Sequence, residues 1–376
     1  MALKDTLHQL QQKASQKLLH HQVNKATTNS SALVNAVYYP NWKALAQKPP
    51  SSLNLAHISH ILYAFVGVKA DGTVYDEYTD ENADTKLDLN GALGALGDLQ
   101  RVKTQNPQIK TILSLGGGSG SENFAAAASN PTSRATLANT AKQILDKYQM
   151  DGIDIDWEHP SDPGQGRDFI SLLSSLRNVL PASQYLLTAA LPAGEWALQN
   201  IPLGEASQLL SYLNIMTYDF AGPWTKMSGY HSQLFTPKDA YNDDCKISCD
   251  SASSYLTSKG VPANKILLGV PAYGRSFLGA TKAGEPYKGG GGEEGTFEYC
   301  DLARPNAQLG MDHEVVAAYC VGGDGGFVSY DDPACVQRKA EYVKQRGLGG
   351  LFYWTGTGDT NDDQSLVATG WKALRG

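Results

Sequence analysis

Three carboxylic acids recur at every second position in Asp154-Ile155-Asp156-Trp157-Glu158, and Ile153 precedes them. In an extended strand successive side chains point to opposite faces, so Asp154, Asp156 and Glu158 share one face while Ile153, Ile155 and Trp157 share the other. Next neighbours on one face lie roughly 6.6 Å apart. Three carboxyls at that spacing do not ionise independently; at least one keeps a proton near neutral pH and can donate it. Three readings compete here. The strand is a solvated edge, or part of a Mg²⁺ or Ca²⁺ site, or it performs acid catalysis. Cation sites usually draw carboxylates, carbonyls and waters from several loops rather than from one strand.

The elements around this strand must position it. Eight strand-like runs of apolar or β-branched residues begin at Val34–Tyr38, Ile58–Val66, Ile109–Leu115, Gly152–Glu158, Tyr185–Leu191, Leu213–Tyr218, Ile266–Tyr273 and Leu348–Trp354. Helical periodicity follows most of them, at Leu89–Thr104, Arg134–Tyr148, Asp168–Val179, Leu198–Leu210, Ser251–Ser258, Pro333–Gln345 and Leu366–Leu374. The helix after Trp42 is the poorest of the series. Repeated strand–helix units imply a parallel sheet, and eight of them imply a closed (β/α)8 TIM barrel in an α/β fold. Some sixty residues separate Tyr273 from the helix at Pro333 and contain the run Gly289-Gly290-Gly291-Gly292. That is too long for a barrel loop. Short alternating pieces at Ala317–Val321 and Phe327–Tyr330 mark a small α+β insertion over 277–328 within a catalytic domain spanning 32–376.

Function in such a barrel sits at the C-terminal strand ends. Those ends are rich in aromatic and polar groups: Tyr38 and Trp42 after the first strand, Phe65 in the second, Ser114-Leu115-Gly116-Gly117 at the third, and Glu158 at the fourth. Met216-Thr217-Tyr218-Asp219 ends the sixth, Tyr273-Gly274-Arg275 the seventh and Trp354 the eighth. A single aromatic at a strand end is more often packing than a ligand platform. Together they fit a carbohydrate groove, in which flat apolar sugar faces meet rings and hydroxyls meet a few placed polar groups.

The stretch Asp151…Asp154-Ile155-Asp156-Trp157-Glu158, with the strand ends above, resembles glycoside hydrolase family 18, the chitinases and their relatives, from about Val34 to Trp371. The resemblance implies cleavage of β-1,4 bonds in chitin or its oligosaccharides. Glu158 is then the proton donor, Asp156 and Asp154 support it, and Tyr218 with Asp219 grips the N-acetyl group. Met216, Tyr273 and Arg275 line the site, Trp354 is its floor, Trp224 lies toward the leaving side, and the insertion walls the groove. Tyr38, Trp42 and Phe65 complete the expected substrate-binding set. No second carboxylate motif faces Glu158, so the ordinary retaining pair is missing and the resemblance implies attack by the substrate's own acetamido oxygen. No cofactor or metal is implied. Two positions depart from the family pattern: Gly118 stands where many members have Trp, and His159 where many have Tyr. The first weakens stacking on the leaving side; the second is read as packing, since alternation points it away from Glu158. A chitin-binding lectin without activity and an endo-β-N-acetylglucosaminidase acting on N-glycan cores remain alternatives.

Composition bounds the rest. The chain has 376 residues, 41% hydrophobic and 18% charged, with a net charge of −7 and no basic run, which argues against nucleic acid and anionic membranes as partners. A monomer is expected. Leu3, Leu7, Leu10, Ala14 and Leu18 have helical spacing, so 1–31 reads as a helical extension or a tail. No leader-like apolar core occurs there, which makes the chain cytoplasmic or exported without a leader, and extracellular if a leader was removed. The sequon Asn29-Ser30-Ser31 matters only in that last case. Cys245, Cys249, Cys300, Cys320 and Cys335 cannot all pair, and thiols are favoured over a local disulfide.

Overall fold

The alternating runs of the sequence become the staves of a closed barrel. The computed structural model describes residues 32–76, 88–89, 92–239 and 244–376. The eight barrel strands are, in order, Val34–Pro40, His60–Val68, Lys110–Gly116, Gly152–Asp156, Leu186–Pro192, Tyr212–Met216, Ile266–Pro271 and Gly350–Trp354. Each pairs in parallel with its successor, and the eighth pairs with the first. Closure removes the exposed edges that an open sheet would leave. The predicted N-terminal helix and the sequon lie outside the described residues. Among the described residues no helix is long and apolar enough to cross a membrane.

Helix starts are set by caps rather than by the apolar pattern, so the helices expected from Arg134 and Asp168 begin earlier, at Pro131 and Pro163, while the one expected from Pro333 begins there. In Asn130-Pro131, Asp162-Pro163 and Asp332-Pro333 the Asn or Asp side chain accepts backbone N–H groups of the first turn, and proline takes a position whose N–H needs no partner. The helix expected over Leu198–Leu210 is instead two, Glu195–Leu198 and Leu203–Leu209. Pro202 stands at the break, where it has no N–H to give and disfavours helix in the residue before it. The helix expected from Leu89 begins at Gly94, because Asp88–Leu89 pairs antiparallel with Ala92–Leu93. After Trp42 there is no α-helix; short 3-10 turns at Asn41–Ala44, Pro50–Ser52 and Leu55–His57 carry the chain to the second strand.

The seventh run, read as one strand from Ile266 to Tyr273, is two. Pro271 ends the barrel strand, and Tyr273–Phe277 opens a five-stranded antiparallel sheet with Thr296–Glu298, Gly326–Tyr330, Ala317–Gly322 and Gln308–Asp312. This insertion spans 273–330, slightly more than the expected 277–328. Its helical content is a single 3-10 turn at Tyr299–Asp301, so it is nearly all β where a mixed α+β unit was expected. Phe277, Ala280 and Phe327 form a small core with Ala221 from the segment after the sixth barrel strand.

Inside the barrel, Val34, Ala36, Tyr38, Leu62, Ala64, Ile112, Leu267 and Phe352 pack together. The apolar face of the fourth strand points the other way: Ile153 and Ile155 are fully buried, and Trp157 stacks on Phe124 at 5.7 Å between ring centroids. All five cysteines are thiols, four of them buried and Cys300 exposed.

Just after the insertion, Asp331 and Lys339 form an ion pair with both side chains fully buried, and Ser232 donates a further hydrogen bond to Asp331 at 3.0 Å. Removing only the cation leaves a carboxylate buried without compensation, a loss worth about 3–5 kcal/mol. Lys339→Met is expected to lower the unfolding free energy by about that amount in urea denaturation, whereas Lys339→Met with Asp331→Leu recovers most of it.

Candidate active site

Asp154 is fully buried inside the barrel. Its carboxylate accepts from Thr188 Oγ1 at 2.6 Å, Ser114 Oγ at 2.7 Å, the Tyr38 hydroxyl at 2.9 Å and Asn214 Nδ2 at 3.3 Å. Asn214 also donates to the Tyr38 oxygen at 3.0 Å. These donors come from the first, third, fifth and sixth strands, and register places Ser114 and Thr188 directly beside Asp154. Burial pushes the Asp154 carboxyl up, and the hydroxyls of Thr188, Ser114 and Tyr38 pull it back.

One step nearer the mouth, Asp156 Oδ1 is buried and has no hydrogen-bond partner. Burial, then Glu158, then Asp154 hold its carboxyl well above the ordinary range. Glu158 lies past the last paired residue of the strand. Its N–H donates to Ser121 Oγ at 2.9 Å, and that hydroxyl donates on to the Gly117 carbonyl at 2.8 Å. Burial and the nearby Asp219 charge raise the Glu158 carboxyl to about 7. A group at that value can both give and take a proton near neutrality.

The Ser114-Leu115-Gly116-Gly117 turn is required by close packing. A Cβ on Gly116, at φ +107°, would stand 2.3 Å from the Asp156 carbonyl oxygen, and one on Gly117, at φ +78°, 2.5 Å from the Phe65 ring. Gly118 differs: a Cβ there would meet only Glu158 Oε1, at 3.8 Å, so the space beside the acid is open.

Asp219 is gripped from the insertion. Arg275 donates to both its oxygens at 2.8 Å, and Tyr273 donates to Oδ1 at 2.5 Å. Burial would raise this carboxyl, but His231 and Arg275 outweigh it and hold Asp219 below the usual carboxylate range. His231 is itself fully buried, with Nδ1 3.6 Å from Asp219 Oδ1. Burial, then the charges of Asp156, Asp219, Glu158 and Asp154, keep the Tyr218 hydroxyl protonated at any ordinary pH. Tyr218 packs edge-on against Tyr273 and Phe352.

Aromatic rings line the mouth. Trp354, on the eighth strand, lies across the barrel from Glu158 on the fourth. Phe65 stacks on it at 5.5 Å, and Tyr38 and Trp42 lean on it at 5.6 and 6.5 Å. Beyond Trp42 and Phe65 a cleft of about 200 Å³ runs to Tyr75, Glu122 and Asn123. On another side of the mouth Trp224 is 59% exposed under the Arg275 guanidinium, 4.8 Å from its carbon.

The expected residues therefore converge, with one correction. Tyr38 is 1% exposed and commits its hydroxyl to Asp154, so it positions that carboxylate and offers no surface to a ligand. Met216 is half-buried and packs on the barrel core. His159, beyond the end of the strand, packs edge-on against Trp196 at 5.4 Å. Ser114, Thr188, Asn214, Ser121, His231 and Trp196 were not singled out for these roles. The available signal was polar residues at inward positions of apolar strands. Among the described residues no three His, Cys, Asp or Glu side chains are grouped to hold a metal ion.

The profile described as "Glycosyl hydrolases family 18" matches residues 34–359. Chitinase 1 of Aphanocladium album is 35% identical, over 92% of this chain and 86% of that protein. Endochitinase 1 of Metarhizium robertsii is 33% identical, over 93% and 87%. Among solved structures, the Group IV chitinase of Ostrinia furnacalis in complex with allosamidin superposes with a TM-score of 0.81 at 26% identity, covering 92% of this chain and 99% of that one.

Because the Asp219 charge helps raise Glu158, neutralising it lowers the Glu158 value. Carbon-detected NMR titration of side-chain-labelled protein is expected to find Glu158 titrating near 7, with its midpoint at lower pH in Asp219→Asn. An unmoved midpoint would leave burial as the whole cause.

Proposed function

The chain belongs to glycosyl hydrolase family 18, and from that membership we propose that it is a chitinase that hydrolyses β-1,4 bonds between N-acetylglucosamine units with retention of configuration. The observation that carries the reading is the unpartnered carboxyl of Asp156, standing between an Asp154 saturated with donors and a Glu158 poised near 7. An acetamido N–H would supply the donor that Asp156 Oδ1 lacks.

The sugar to be cleaved rests on Trp354. Its acetamido oxygen attacks the anomeric carbon while the bond to the leaving oxygen breaks and Glu158 delivers its proton to that oxygen. Asp156 orients the acetamido N–H and answers the positive charge of the resulting oxazolinium ion; the Tyr218 hydroxyl holds the acetamido carbonyl in line. Water, giving its proton to Glu158, then opens the ring from the face the leaving group vacated. Asp154 does not touch substrate in this scheme. It fixes the strand and supplies a negative neighbour that keeps a proton on the Asp156–Glu158 pair. The names of the relatives, chitinases and an endochitinase, agree with this substrate class.

Glu158→Gln is expected to keep oligosaccharide binding by calorimetry and to lose at least 10²–10⁴-fold in kcat. Activity within about tenfold of the parent protein would take Glu158 out of the acid role. Proton NMR of fresh hydrolysate is expected to show the β-anomer first, and a sugar lacking the N-acetyl group on the non-reducing side of the bond is expected not to be cut. An α-anomer as first product would require inversion and a separate base, and would overturn substrate assistance.

A further inference from the structure

Trp196 is the most exposed tryptophan beside the acid, and nothing above assigns it a task. It follows the fifth strand through Ala193-Gly194-Glu195 and is 63% exposed. The fifth strand pairs directly with the fourth, so Trp196 emerges on the same end of the barrel as Glu158 and in the adjoining sector. Its ring meets His159, the residue after Glu158, at 5.4 Å and 80°, edge to face. The ring also folds back over its own loop, where a Cβ on Gly194 would stand 2.3 Å from Trp196 Nε1. Asn200 Nδ2 donates to the Pro160 carbonyl at 3.2 Å and ties this loop to the one carrying Glu158. A large ring held in place from beneath, with its outer face bare, is costly in water unless something covers it.

The opposite flank of Glu158 is the third strand, and there Gly118 leaves open space where a bulky ring would supply stacking. The sugar held on Trp354 lies across the barrel, and the proton donor marks the side from which the leaving oxygen departs. The leaving chain therefore passes beside Glu158, with Trp224 expected on the sixth-strand side and, over strands three to five, a sector bare at Gly118 and aromatic at Trp196. We propose that Trp196, supported by His159, is a binding platform for the leaving portion of the sugar chain, and that it replaces on the fifth-strand side the stacking that Gly118 cannot give. The inference rests on the hydrolase reading of Glu158. It adds a subsite for a pyranose ring and makes Trp196 a determinant of where along the chain the cut falls.

The test compares substrates that differ on the leaving side. With chitohexaose the parent enzyme is expected to favour cuts that place two or more sugars beyond the bond. Trp196→Ala is expected to move product ratios, read by mass spectrometry from the earliest time points, toward cuts that leave one sugar there. Its kcat/KM for chitohexaose is expected to fall about tenfold further than its kcat/KM for 4-methylumbelliferyl chitobioside, whose leaving group has no sugar, with the loss in KM. Trp196→Tyr keeps a ring and is expected to retain most of the parent pattern, which separates lost stacking from a disturbed loop. Equal falls on the two substrates, or unchanged cutting frames in Trp196→Ala, would overturn the proposal. A parent enzyme that cleaves neither substrate would instead overturn the hydrolase reading.

Discussion

One buried carboxylate organises the interior of this barrel. Asp154 has no access to water, and an acceptor-only group in that position is tolerated only when its lone pairs are met. Four side chains from four different strands meet them. The cost of burying the charge thereby becomes a constraint on strand register, because a shift of one residue would turn the inward hydroxyls outward and leave the carboxylate unpaired. What Asp154 holds in place is the fourth strand, and with it the path of Asp156 and Glu158 toward the mouth.

Much of this was legible in the chain. Acid and apolar residues alternate through Ile153–Glu158, and the structure turns those acids inward and buries Ile153 and Ile155 under helices. The parallel barrel followed from eight strand-like runs, and most of the groove from the residues that end them. The misses share a cause. Ser114, Thr188 and Asn214 look unremarkable singly, and their meaning lies in cross-strand register, which alternation does not reveal. Tyr38 was placed in the groove because it stands at a strand end, but its hydroxyl reaches inward to a partner 116 positions away. Pro202 and Pro271 each ended an element that the apolar pattern alone would have continued.

The electrostatics of the site extend beyond the motif. Asp219 leaves the sixth strand, yet its charge is held by Arg275 and Tyr273 on the first strand of the insertion, with His231 behind it. That charge in turn helps raise Glu158. A wall that seems to serve only groove shape is therefore part of the device that sets the protonation of the acid.

The insertion sheet carries a practical consequence for anyone who would exchange it. It is latched at its rim, where Glu298 pairs with Lys43 and with Lys48 from the segment after the first strand. Two of its three inner strands, Tyr273–Phe277 and Gly326–Tyr330, pair with each other, and Ser329 Oγ accepts the backbone N–H of His231. Those strands belong functionally to the barrel. A graft cut just before Tyr273 would carry away the partners of Asp219, whereas one spliced between Phe277 and Gly326 would swap the outer sheet as a cartridge and leave the proton chemistry with its host.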